Sequence, residues 1–220
     1  MQIIYLGHAC VLLKGSVSIL IDPFIPDGDI PETPDLVAVT HAHADHLGVA
    51  ASLGVPVITN NEISHYLKAK GCVTEPMNIG GTITVSGATF TMTQALHSSW
   101  IEEAGIGMYG GSAAGFVITL DDLVIYHAGD TGLFSDMQLI GRLYHPDVAL
   151  IPIGGRYTMG PREAMMAADF IGAPTVIPIH YNTWEKIAQD TKEFSRAINE
   201  TTDMKVVILE PGKGYELSAR

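Results

Sequence analysis

The stretch LVAVTHAHADH, residues 36–46, decides how this chain reads. Its first five residues are apolar or β-branched and have the character of a buried strand. They run directly into His41, His43, Asp45 and His46, three imidazoles and a carboxylate within six positions. In an extended segment side chains two apart point the same way, so His41 and His43 can converge on one ion. If a helix starts here, Asp45 sits near its N-cap, and Asp45 and His46 can reach a second ion close to the first. The alternative is a solvated loop whose histidines bind nothing. Gathering so many imidazoles serves no packing purpose, and metal binding is the better reading.

Four more residues share one setting. His8 ends IIYLGH, His97 ends TMTQALH, Asp130 ends VIYHAGD and His180 ends TVIPIH, each just past an apolar strand. In α/β architectures ligands gather outside the carboxyl ends of strands, so these residues can meet the 41–46 loop at one edge. Singly, each has an ordinary explanation: a hydrogen-bonded histidine at a strand end, or an Asx-turn at Asp130. Their shared placement makes His97, Asp130 and His180 metal-ligand candidates and leaves His8 open between function and structure. His127, inside a strand, reads as a core residue or a support for a ligand. His65 and His145 read as surface positions on a helix and a turn.

Outward from these residues, short apolar runs alternate with turns. Strands are expected at 3–6, 17–21, 36–40, 55–59, 82–85, 89–95, 116–120, 123–127, 148–153, 176–179 and 205–209. Asn60 can cap a helix that Gly71 ends, Pro161 opens one that stops at Gly172, and Asp190 with Glu193 resembles a capping box for a third helix to about Asn199. The segments VLLKGSVSILID (11–22) and FVITLDDLVIYHAGD (116–130) both read as strand, polar turn, strand, acid. Internal duplication and chance recurrence of hairpins both stay open. No linker or low-complexity stretch interrupts the 220 residues, so one α/β domain spanning 1–220 is expected.

Acidic residues outnumber basic ones 24 to 12, a formal net charge of −12, and that field repels polyanions and anionic membranes. A small-molecule substrate is expected as partner, with no long nucleic acid and no membrane; a homo-oligomer is compatible with the composition. The N-terminal MQIIYLGHACVLLKG carries no basic leader, and no run approaches the roughly 20 apolar residues of a membrane span, which leads to a cytoplasmic expectation. Cys10 and Cys72, without a CxxC spacing, read as buried thiols in a reducing compartment, a bridge between them staying open. The glycine-rich stretch Gly105–Gly115, with IGMYGGSAAG, lacks GxxxxGK[ST] and reads as a hairpin or flap beside His97. Trp100, Met108 and Tyr109 there could line a substrate pocket.

At this point the chain resembles the metallo-β-lactamase superfamily, whose signature is an HxHxDH loop followed by a later His, a later Asp and a final His. His41, His43, Asp45, His46, His97, Asp130 and His180 match that order over nearly the whole chain. Within it, Gly7–His8, the IDP of 21–23, the HAGDTG of 127–132 and the HYNT of 180–183 resemble small metal-dependent hydrolases related to L-ascorbate-6-phosphate lactonases. The resemblance implies a four-layer αββα sandwich with two metals at one edge of the two sheets. His41, His43 and His97 would hold the first metal, Asp45, His46 and His180 the second, with Asp130 bridging. A redox di-iron member would replace some of these histidines with carboxylates, and His43 and His46 argue against that.

Imidazoles and carboxylates without cysteine suit zinc foremost, with manganese, iron or nickel as alternatives. Two divalent ions about 3.5–4 Å apart can share a water and lower its pKa toward about 7. The expected nucleophile is therefore a hydroxide bridging the metals and oriented by Asp45. His8, Tyr181 and Asn182 are candidate proton donors to the leaving group by placement alone. The function expected is hydrolysis of a small-molecule ester, lactone, thioester or phosphodiester. A nuclease or phosphodiesterase acting on RNA or DNA is the alternative, disfavoured by the net charge. A non-catalytic metal-binding protein is the second, disfavoured by the full ligand set.

Overall fold

Two sheets, each made of β-branched and apolar strands, stack face to face in the computed structural model, which describes residues 1–26 and 28–218. The first half opens with an antiparallel meander of β1 (Gln2–Gly7), β2 (Cys10–Lys14) and β3 (Ser18–Ile21). Parallel strands β4 (Leu36–Ala38), β5 (Val57–Asn60) and β6 (Thr74–Met77) then add to β3, with helices α1 (Ala44–Leu47) and α2 (Asn61–Ala69) in their crossovers. The second half repeats the plan. β7 (Thr82–Val85) and β8 (Ala88–Gln94) are followed by a projecting hairpin of β9 (Trp100–Glu103) and β10 (Ile106–Tyr109), then by β11 (Ala114–Leu120) and β12 (Leu123–His127). Parallel β13 (Val148–Pro152), β14 (Thr175–Ile179) and β15 (Lys205–Val206) follow, linked through α3 (Met137–Tyr144), α4 (Pro161–Ile171) and α5 (Thr191–Thr201). Finally β16 (Lys213–Glu216) returns to lie beside β1.

The strand orders are 16-1-2-3-4-5-6 and 7-8-11-12-13-14-15, and in both the first three pairings are antiparallel and the last three parallel. Residues 11–22 and 116–130 form β2–β3 and β11–β12, which occupy corresponding places. The likeness between those segments is thus topological, and it favours duplication over chance.

Alternation of side chains across each strand makes the four layers. Tyr5, Leu13 and Ile19 of one sheet meet Phe90, Phe116 and Leu150 of the other. On the outer faces Leu12 and Val37 pack on Ile63 and Leu67 of α2, while Tyr126 and Ile151 pack on Ala164, Ala168 and Phe194 of α4 and α5. Burying each large apolar side chain contributes about 1.5–3 kcal/mol. The αββα architecture expected from the sequence is the one observed.

The caps hold: Asn60 Oδ1 accepts from Ile63 N, Gly172 ends α4 at φ 66°, and Asp190 accepts from Lys192 N and Glu193 N. Four elements escaped the pattern, β9 among them, since the projecting hairpin begins at Trp100, ahead of the glycine-rich stretch read as a hairpin. β6 contains Pro76 and is tolerated because it is an edge strand, and β16 is a short exposed edge carrying Gly214. α3 carries Gly141 in its interior, a residue that lowers helix propensity. A Cβ there would lie 2.3 Å from the carbonyl oxygen of Ile171, so the glycine is what lets α3 close on α4. Both cysteines are free; Cys10 is buried as expected, but Cys72 is only half-buried, because it sits in the loop after α2 with its thiol directed at the Ala51 carbonyl. Among the described residues no helix is long and apolar enough to cross a membrane.

Candidate metal centre

The loop after β4 is held from behind by one carboxylate. Asp22, at the end of β3 and fully buried, accepts from Thr40 N at 2.8 Å, Thr40 Oγ1 at 2.7 Å and His46 Nδ1 at 2.7 Å. A carboxylate can only accept, so His46 carries a proton on Nδ1 and turns Nε2, the nitrogen left for a metal ion, inward. The Thr40 hydroxyl, having donated to Asp22, accepts from His41 Nδ1 at 3.1 Å, which leaves His41 Nε2 bare. This outer hydrogen bond to the far nitrogen is how proteins orient metal-ligating imidazoles. His43 then caps the four-residue α1, placing Asp45 in its first turn. Gly48 lets the chain pass Pro23: a Cβ would lie 2.1 Å from the Pro23 carbonyl oxygen.

All seven ligand candidates converge at this edge. His41 Nε2 lies 3.0 Å from His43 Nδ1, which lies 3.3 Å from His97 Nε2. Asp130 Oδ2 lies 3.3 Å from His46 Nε2, 3.0 Å from His180 Nε2 and 3.5 Å from His97 Nε2, so one oxygen borders both groups. Asp45 Oδ2 is 3.9 Å from His180 Nε2. Second-sheet loops are tied together here too, since Thr131 Oγ1 accepts from Leu96 N next to His97.

The residues fit divalent metal ions. His46 Nε2, His180 Nε2 and Asp130 Oδ1 are buried without a hydrogen bond despite their close neighbours. Each such orphan costs about 1–3 kcal/mol unless something satisfies it, and a cation facing them would. Burial holds the pKa of His41 well below the usual histidine value and lowers those of His43 and His97, which keeps these imidazoles neutral. Burial opposes the charge on Asp130, but His46 and His180 outweigh it and hold the carboxyl well below the carboxylate range. Asp45 falls to about 2, burial again being outweighed, chiefly by the hydrogen bond with His8. Neutral nitrogen and ionised oxygen are the forms that bind metal.

A cavity of about 680 Å³ opens over the centre, lined by His43, Asp45, His97, Asp130 and His180 together with Ser98, Tyr157, Trp184, Glu185 and Lys186. His8 does not line it: the ring is fully enclosed behind Asp45. Tyr181 and Asn182 line a separate cavity of about 460 Å³. None of the three proton-donor candidates therefore reaches the main cavity. His127 is held in the core, its Nε2 donating to Ala9 O at 3.0 Å and its Nδ1 accepting from Gly129 N at 3.2 Å, while His65 and His145 are exposed. Trp100 and Tyr109 border a neighbouring cavity shared with His97, and Met108 lines neither. Sequence reasoning missed Asp22 and Thr40 as supports; the signal was the recurrence of an acid at the end of both duplicated hairpins.

The model of the beta-lactamase superfamily domain matches residues 2–180. The chain belongs to that family. Its relatives include a UPF0173 metal-dependent hydrolase of Methanospirillum hungatei JF-1, 76% identical over 217 residues and 99% of both chains. One from Methanoculleus marisnigri is 60% identical over 99% of this chain and 97% of its own. The solved structure of Igni18, a metallo hydrolase from the hyperthermophilic archaeon Ignicoccus hospitalis KIN4/I, matches with a TM-score of 0.88 at 35% identity, covering 99% of each chain. Family membership and these relatives identify a metal-dependent hydrolase of the metallo-β-lactamase superfamily.

Proposed function

We propose that this protein hydrolyses a small-molecule ester, lactone, thioester or phosphodiester with two divalent ions, zinc foremost. The observation that carries the proposal is Asp130 Oδ2, which stands within 3.5 Å of His97 Nε2 on one side and of His46 and His180 Nε2 on the other. His41, His43 and His97 would hold one ion, Asp45, His46 and His180 the other, with Asp130 between them. When bound, such a pair supplies Lewis acidity and lowers the pKa of water into the neutral range.

The chain's own residues do the rest. Asp45, partly exposed at the cavity floor, is an acceptor that orients an attacking water. Tyr157 and Trp184 wall the cavity, exclude bulk water from one side and offer apolar surface to a substrate body. Lys186 supplies a cation at the rim for a substrate carboxylate or phosphate.

The test is turnover of a generic lactone and a bis-aryl phosphodiester by protein stripped with a chelator and then reloaded separately with zinc and manganese. Activity should vanish on stripping and return with metal. Full activity in protein shown to be metal-free would end the proposal.

A further inference from the structure

His8 closes β1 with a left-handed backbone, φ 55°, which non-glycine residues rarely adopt. Its carbonyl accepts the backbone N–H of His180 at 2.6 Å and the Tyr5 hydroxyl at 3.1 Å. His180 is itself left-handed, φ 56°, so the two strained residues lock each other across the sheets. The His8 ring has no exposed surface. It lies 4.1 Å from the His180 ring, 4.8 Å from Trp184 and edge-on to Phe24 at 5.4 Å, centroid to centroid. Its Nε2 is 3.2 Å from Asp45 Oδ2 and its Nδ1 2.9 Å from Thr183 Oγ1. Since a carboxylate only accepts, Nε2 carries the proton, and the Thr183 hydroxyl donates to Nδ1.

One residue thus grips two of the groups assigned to the same ion: Asp45 through its ring, His180 through its carbonyl. We propose that His8 is a positioning residue for one half of the centre, the half of Asp45, His46 and His180, and that the other half does not depend on it. This rests on the two-ion proposal above. The asymmetry follows from placement. Asp45 sits on a four-residue helix with 29% of its side chain exposed, so without the His8 ring it can turn to solvent. His8 takes no part in the group of His41, His43 and His97. The oxygen that His8 holds, Oδ2, is the one that stands 3.9 Å from His180 Nε2, so this hydrogen bond sets its direction toward that half of the centre, as outer hydrogen bonds to ligands do when they tune metal affinity.

The experiment uses His8→Asn, because asparagine tolerates the left-handed backbone and keeps the carbonyl grip on His180, while its short amide cannot span Thr183 and Asp45. Thr183→Val, which removes only the partner that fixes the ring, is the second variant should the first fold poorly. Zinc is titrated against a chelator for the whole protein and both variants, ions are counted after gel filtration, and the urea midpoint of the metal-free protein is recorded. The expected result is two ions in the unaltered protein and, in both variants, one ion held as before and one weakened by roughly 10- to 100-fold. At saturating cobalt, the visible absorption bands of His8→Asn should match those of the unaltered protein, because no ligand has been lost.

Both ions held with unchanged affinity, or both weakened equally, would overturn the inference alone. So would changed cobalt bands at saturation, which would make His8 a ligand rather than a support. A lower urea midpoint with an unchanged ratio of the two affinities would reduce His8 to a packing residue and overturn it likewise. An unaltered protein holding a single ion would overturn the two-ion proposal and this inference with it.

Discussion

Asp22→Asn changes one oxygen of a buried carboxylate to an amide nitrogen. The Oδ1 side can survive, because an amide oxygen still accepts from Thr40 N at 2.8 Å. The Oδ2 side cannot, since two donors, Thr40 Oγ1 and His46 Nδ1, converge there at 2.7 Å each. A hydroxyl can rotate and accept from the new NH2, but His46 can do so only by moving its proton to Nε2. That nitrogen faces Asp130 Oδ2 at 3.3 Å, and once protonated it offers no lone pair to a cation. The reversal also frees Thr40 from donating to Asp22, so the tautomer of His41 loses its determinant. At least one hydrogen bond to a charged acceptor is lost, about 1.5–3 kcal/mol of stability in the metal-free protein. Metal affinity should fall by roughly 10- to 100-fold, the usual effect of removing an outer partner, which equals about 1.4–2.8 kcal/mol. Chelator competition reads the affinity and urea unfolding of stripped protein reads the stability. Asp35→Asn, a surface aspartate accepting from Ser18, is the control. An Asp22→Asn protein that binds metal as tightly as the Asp35→Asn control would refute the reasoning.

Asp130→Asn should weaken both ions at once, because its Oδ2 borders both groups of nitrogens; elemental analysis still finding two tightly held ions would remove the bridging role. His97→Ala should cost at least about 100-fold in activity and His65→Ala, exposed on α2, nearly none. Equal losses in the two would show that convergence at the sheet edge is irrelevant. A labelled single-stranded oligonucleotide should bind metal-loaded protein weakly across a salt series, since 12 basic residues against 24 acidic ones leave little to neutralise phosphates. Submicromolar binding with a steep negative salt slope at physiological ionic strength would promote a nucleic-acid substrate.

The centre was legible because its chemistry is dense along the chain. Four of seven ligand candidates lie within six residues, and the others each end an apolar run, a shared setting that points to strand ends at one edge. Helices α2, α4 and α5 were legible through their end residues, Asn60, Pro161 with Gly172, and Asp190. What stayed hidden depends on contacts between distant segments. Asp22 reads as the acid that ends a hairpin, and becomes a support only because Ile21 pairs with Ala38 and brings β3 beside the loop after β4. Gly141 reads as a helix breaker until α4 lies against it. Tyr157, Trp184 and Lys186 sit in loops without periodicity, so nothing local marks them as cavity wall. His8 was recognised as a strand-end histidine, but its enclosure behind Asp45 follows from the approach of His180 across the sheets.

The duplicated strand orders explain why some strand-end residues face the centre and others stand one step back. By position in their sheets β1 corresponds to β8 and β3 to β12. His8 therefore corresponds to His97, and Asp22 to Asp130, each pair following equivalent strands. In the second half the pair reaches the centre: His97 and Asp130 lie 3.5 Å apart among the other donors. In the first half that space is taken by the loop after β4, which brings four candidates of its own. His8 and Asp22 are displaced outward and hydrogen-bond to that loop, His8 to Asp45 and Asp22 to His46. On the two-ion proposal, equivalent residues would serve as donors in one half and as holders of donors in the other. The energetic consequence is asymmetric: replacing His97 or Asp130 deletes a donor, whereas replacing His8 or Asp22 leaves every donor in the chain and changes only its direction or tautomer. Saturating metal should therefore restore much of the occupancy in His8 and Asp22 variants and little of it in His97 and Asp130 variants, a difference that neither ligand count nor proximity alone would produce.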